Sequence, residues 1–201
     1  MEKLKEKVLK KTSGGFFGIV SVLIRLTGDI TAMIFTPNYN MIDDLISDLG
    51  IGPGALFFSL GLIISGIVSI PFYISLKKIF GVEEINENLR KMAIVFSSIS
   101  IITYVLLGFF PSDPNNILIF VLHGVIGLIS WVTGAGYLAL YSYMTIKYKE
   151  SSKFQGYFGY CVVGTVILFI FTWVPVTEWC MTFGIMLWII VISISMIYDK
   201  I

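Results

Sequence analysis

Long apolar stretches separated by short polar ones run along almost the whole chain. Six of them, at about 15–35, 54–76, 92–110, 117–145, 155–175 and 179–198, each hold roughly the 20 residues needed to cross a hydrocarbon core about 30 Å thick. The pattern predicts an all-α integral membrane protein. Its 201 residues form a single membrane domain, a bundle of six transmembrane helices preceded by a basic tail at 1–14. The first run contains Arg25 and Asp29, exceeds a signal core in length and lacks a small-residue cleavage site, so it reads as a retained helix.

Within the runs, small residues mark where helices approach closely. Gly61, Ser65, Gly66 and Ser69 in the second helix, and Gly124, Gly127, Ser130, Gly134 and Gly136 in the fourth, have spacings that bring backbones together. Tyr137, Tyr141, Tyr143 and Tyr148, near the end of the fourth run, read as an interfacial aromatic belt. In the third run Ser97, Ser98, Ser100 and Thr103 are expected to bond their own backbone one turn back.

One connection has a pattern of its own. In TPNYNMIDDLISDLGIGPGA, Met41, Ile42, Leu45, Ile46 and Leu49 recur with helical period, while Asp43, Asp44, Ser47 and Asp48 fill the other face. With Asn40 as N-cap and Gly50 as stop, the segment predicts a short amphipathic helix over 41–49, flat on the outer surface.

Composition supports this reading and charge orients it. Hydrophobic residues make up 56% of the chain and charged ones 13%, with a mean hydropathy of +0.88, which excludes a water-soluble domain. Thirteen of the fourteen basic residues fall on one side of the six-span scheme; the other side carries Asp43, Asp44, Asp48, Asp113 and Glu178. Positive segments stay in the cytosol, so the expected topology has both termini inside and the location is the cell membrane. The lysines read as a topology signal with affinity for anionic lipid rather than as a nucleic-acid surface. Cys161 and Cys180 fall near opposite ends of the last hairpin, too far apart to bridge.

TPNYN, then ISDLG, then GLIISG of the second span, then GFFPSD before LHGVIG resemble, in that order, the family catalogued as Domain of Unknown Function 998. The resemblance runs from about Phe16 to about Trp173. It implies a small six-helix membrane fold and brings no established activity; the family looks like a distant neighbour of membrane proteins associated with lipid handling.

Three ionisable residues fall inside the runs: Arg25, Asp29 and His123. Such groups cost about 2.5–3.5 kcal/mol each at the bilayer centre on insertion scales, so they mark candidate sites. Arg25 and Asp29, four apart on one helical face, suit an intrahelical pair. Asp29, His123 and Tyr104 each lie six residues from the outer end of their helices, about 9 Å deep, so Asp29 and His123 are expected to meet. With Asp44, Ser47 and Asp48 from the loop helix as a lid, these residues outline an outer-leaflet polar pocket for a lipid or small amphiphile. A proton-coupled carrier using Arg25, Asp29 and His123 as a relay, or a structural role in helix packing, are the alternatives. There is no phosphate-cradling loop, no serine with an evident base, a single histidine and no paired cysteine motif. No catalytic residue is therefore assigned, no cofactor or metal is expected, and membrane lipids are the expected partners.

Overall fold

A computed structural model describes residues 2–80, 85–148 and 153–198, with side chains from position 13 onward. Lys149, Lys200 and the side chains of the N-terminal lysines, counted among the thirteen basic residues that orient the chain, lie outside the described residues.

The elements are α1 (Glu2–Phe35), a short 3-10 helix (Ile46–Gly50), α2 (Ala55–Ile79), α3 (Glu87–Leu107), α4 (Ile117–Tyr148), α5 (Lys153–Thr172) and α6 (Pro175–Ile197). All six α-helices are long and apolar enough to cross a membrane, and the described residues contain no strand. Their boundaries follow local chemistry. The Asn86 side chain accepts the N–H groups of Asn88 at 2.9 Å and Leu89 at 3.4 Å, so α3 begins five residues before its apolar run. Pro175 occupies the first turn of α6, where its missing N–H costs nothing, and starts that helix four residues before the expected 179. Just ahead of it Val174 is extended and Trp173 is left-handed (φ 52°), which ends α5 at Thr172.

Each helix packs on its neighbours in sequence, and α6 closes back onto α1, so the bundle is a ring of six. Glycine sets the tightest approach. A Cβ on Gly28 of α1 would stand 2.8 Å from the Cα of Gly61 in α2, closer than carbon atoms approach, so only glycine fits there. Of the small residues singled out from sequence, Gly66 and Gly136 meet Tyr104 and Phe96 on neighbouring helices, whereas Gly124 faces open space. Ser97, Ser98 and Thr103 do bond carbonyls of their own helix, but Ser100 reaches the Ser130 carbonyl of α4 at 3.1 Å.

Two expectations need correction. Tyr137 and Tyr141 are not interfacial anchors: they are buried in the core with Phe72, Phe80 and Trp188, and the Tyr137 hydroxyl shares a 2.9 Å hydrogen bond with that of Tyr73. Both lie on the α4 face that also carries Ser130 and Gly134, all of it turned inward.

Nor is 41–49 one amphipathic helix. The Asn40 side chain accepts the Ile42 N–H at 3.0 Å while the Asp44 carboxylate accepts the Asn40 N–H at 2.7 Å, closing a tight turn. Leu45 is then extended, and the Asp48 carboxylate accepts its N–H at 2.9 Å to start the 3-10 turn. Side chains compete for backbone groups that a continuous helix would use. As a result Met41 and Ile42 are exposed, whereas Ile46 and Leu49 are buried against Ala32, Phe58 and Trp179.

Candidate functional site

The ring holds an elongated cavity of about 150 Å³, with wall residues from all six helices and from Ile46 and Ser47. On α4 the wall runs from His123 to Tyr137, fourteen residues or about 21 Å at 1.5 Å per residue. That exceeds the roughly 15 Å half-thickness of a hydrocarbon core. Its inner stretch is lined by Val22, Trp131, Val166, Met186 and Ile189 with the hydroxyls of Ser21, Ser69 and Ser100 among them, and ends at the Tyr73–Tyr137 pair.

The end nearer the 36–54 connection is polar. Glu178, in the first turn of α6, is buried, and its Oε2 accepts the Ile46 N–H at 2.8 Å; the Ser47 N–H is also turned to this carboxylate. Tyr39 steadies the same segment, donating its hydroxyl to the Leu45 carbonyl at 2.9 Å and accepting the Trp179 Nε1–H at 3.2 Å. The 3-10 turn is thereby held across the mouth of the cavity. Burial pushes the Tyr39 phenol far above its ordinary pKa, so it stays protonated and keeps its donor. Burial also raises Asp48, against the lowering effects of the Leu45 N–H and of nearby His123.

His123 is on the wall and 8% exposed. Its Nδ1 is 2.7 Å from the Phe110 carbonyl. A carbonyl only accepts, so Nδ1 carries the proton and, in the neutral ring, Nε2 presents a free lone pair.

Deeper in, Arg25 lies over the Phe58 ring, 4.5 Å from its centroid, and its Nη2 is 2.9 Å from Asp29 Oδ1. The side chains are 7% and 1% exposed. This is an ion pair by distance, but no N–H is well aligned on the carboxylate, and Arg25 Nη1 and both Asp29 oxygens lack a hydrogen-bond partner in the chain. Next to it Ser65 and Tyr104 share a hydrogen bond at 3.1 Å between α2 and α3.

Of the residues expected to form a pocket, Arg25, Tyr104, His123 and Ser47 therefore share the wall. Asp29 backs Arg25 and is not itself on the wall. Asp44 and Asp48 serve the backbone of the loop. The expected Asp29–His123 contact is not made: one partners Arg25, the other the Phe110 carbonyl. Sequence reasoning missed Glu178, which it read as an acid of a surface turn. The available signal was Pro175, which starts the helix early enough to place Glu178 one turn inside. No group of three or more metal-binding side chains occurs among the described residues.

No curated protein and no solved structure matches the chain. A family does, over residues 19–197: the six-helix chain with this buried cavity belongs to the family described as Protein of unknown function (DUF998).

Proposed function

We propose that this is a multi-pass protein of the cell membrane, with both termini cytosolic, that holds a lipid-like amphiphile in its axial cavity. One observation carries the reading: a slender cavity with a mostly apolar wall, a buried carboxylate and an imidazole at its mouth and scattered hydroxyls along it, is walled by all six helices. A site that is mostly apolar with a few convergent polar groups suits a hydrocarbon chain with a small head. The narrow bore, about 150 Å³ spread over some 21 Å of α4, favours one chain over two. With the positive-inside orientation the polar mouth faces the outer leaflet, from which such a ligand would enter.

A relay through Arg25, Asp29 and His123 has less support, since His123 and Asp29 have separate partners. The reading is tested by purifying the protein in a gentle detergent and measuring bound amphiphiles by mass spectrometry. Gly134 lines the cavity, and a Cβ there meets nothing nearer than Ser100 Oγ at 3.5 Å, so a side chain starts there without a clash and Gly134→Leu is the variant chosen to fill the cavity. Bound amphiphile in the wild type that is lost in Gly134→Leu is the expected result; equal recovery from both would remove the cavity from the function.

A further inference from the structure

The buried charges do not balance. Among the described residues Asp29 and Glu178 are buried carboxylates, and Arg25 is the buried guanidinium set against them. Arg25 is paired with Asp29 at 2.9 Å, and its charge is the weakest of the influences felt at Glu178, which makes no ion pair of its own among the described residues. Asp48, half-buried in the neighbouring turn, adds a further negative group to the same mouth. A buried carboxylate without a positive partner is costly, and two N–H groups from Ile46 and Ser47 compensate only part of that cost.

At the mouth, hydrogen-bonding capacity is skewed in the same direction, whereas deeper on the wall Arg25 Nη1 is a donor without a partner in the chain. The hydroxyl protons of Ser21, Ser69 and Ser100 on the cavity wall are committed to backbone carbonyls, so these groups offer lone pairs. His123, more than nine-tenths buried, also offers a lone pair, at Nε2. The mouth, through Glu178 and His123, thus supplies negative charge and an acceptor, with the serine lone pairs lying deeper on the wall, and a ligand that completes the mouth brings positive charge and donors.

We infer that the occupant of the cavity is a single-chain amphiphile with a primary ammonium head, seated between Glu178, His123 and Ser47, with its tail running inward past Arg25. The inference rests on the amphiphile-binding reading and specifies its head. An ammonium has three donors, matching the Glu178 carboxylate and the His123 Nε2, and supplies the missing positive charge. The tail lies along Met186, Ile189 and Val166. Repulsion of the head by Arg25 is offset by the Asp29 carboxylate 2.9 Å from it, and the Arg25 charge is the weakest of the influences felt at Glu178.

The experiment compares three probes of equal chain length, dodecylamine, dodecanol and dodecanoate, for binding to the full-length protein in a gentle detergent. Native mass spectrometry and thermal shift read the binding, with Gly134→Leu and Glu178→Gln as variants. The glutamine Oε1 still accepts the Ile46 N–H, so the loop keeps its anchor while the charge is gone. Dodecylamine is expected to bind the wild type at least 10-fold more tightly than the other two, and Glu178→Gln to erase that preference while dodecanol binding persists. Equal binding of the three by the wild type overturns the ammonium head and leaves the cavity reading intact; this arm does not depend on any variant folding. Failure of all three to bind, or binding unchanged by Gly134→Leu, overturns the cavity reading and this inference with it. Amine and alcohol binding equally well while the acid is excluded would mean that a proton on Glu178 balances the charge, which also overturns the inference. A double-chain lipid with an ammonium head competing better than dodecylamine would overturn the single chain.

Discussion

Glu178 Oε2 accepts the backbone N–H of Ile46 at 2.8 Å, joining positions 132 residues apart in sequence. The bond ties the first turn of the last helix to the loop after the first, and together with the Trp179–Tyr39–Leu45 hydrogen bonds it fastens the cover over the cavity to the ring of helices. Glu178→Ala leaves the Ile46 N–H buried without an acceptor, a loss of about 1–3 kcal/mol. The expected result is a lower thermal midpoint together with faster proteolysis between residues 40 and 50. Leu49→Ser, at a position with 0% exposure, should open the same segment without preventing membrane insertion. Protease access that stays at the wild-type level in both variants would show that the turn is not held by these groups.

Orientation gives a prediction independent of the cavity. A labelling tag within 83–87 should be cytosolic, and one within 113–116 external, because basic residues crowd the first side and acidic ones the second. External labelling of 83–87 in intact cells would invert the scheme and turn the polar mouth to the cytosol.

The six helices were legible because each apolar run is long enough that only a membrane can accommodate it, a signal carried by some 20 residues at once. Arg25–Asp29 was legible too, since i,i+4 spacing brings side chains together whatever the tertiary context. What failed turned on single residues. Helical periodicity over 41–49 outvoted the fact that Asn40, Asp44 and Asp48 each bond a nearby backbone N–H in the structure. Equal depth below one surface brought Asp29 and His123 to similar levels, but depth does not fix which way a helix is rotated, and rotation decides contact. Tyr137 and Tyr141 were misplaced for the same reason, because an aromatic near a helix end marks the interface only if it faces lipid.

Asp48 gives a pH dependence. Burial raises its pKa in the folded protein above the ordinary value of 3.8. The folded state therefore holds the proton more tightly than the unfolded state: the stabilising contribution is complete below about 3.8 and is lost as pH rises through the folded value. At neutral pH the ionised carboxylate is a net burden, lightened by its partial exposure to water. Asp48→Asn keeps an oxygen to accept the Leu45 N–H and should melt higher than wild type at pH 7, by no more than about 2–4 °C, roughly what 1 kcal/mol moves in a chain of this size. The gap should close as pH falls toward 4. A variant that melts lower at pH 7 and equals wild type only in acid would mean that the Asp48 charge stabilises the loop.

Arg25, Asp29 and His123 together separate an ion pair from a coincidence of depth. Removing one member of the 2.9 Å pair leaves a charge buried among helices, which costs about 3–5 kcal/mol. Arg25→Met and Asp29→Asn should each destabilise the detergent-solubilised protein by that order. The double variant leaves no charge at the site and should cost far less than the sum, because the cost of each single change is largely that of the orphaned partner. His123→Gln acts elsewhere, at the bond to the Phe110 carbonyl, and should add to Asp29→Asn within about 0.5 kcal/mol. Thermal unfolding of the three single and two double variants measures both cycles. Strong coupling of Asp29 to His123 would bring those side chains into contact, against the arrangement described here. Additive losses for Arg25 and Asp29 would mean that the buried pair is held apart, and that the guanidinium is free to meet a ligand on its own.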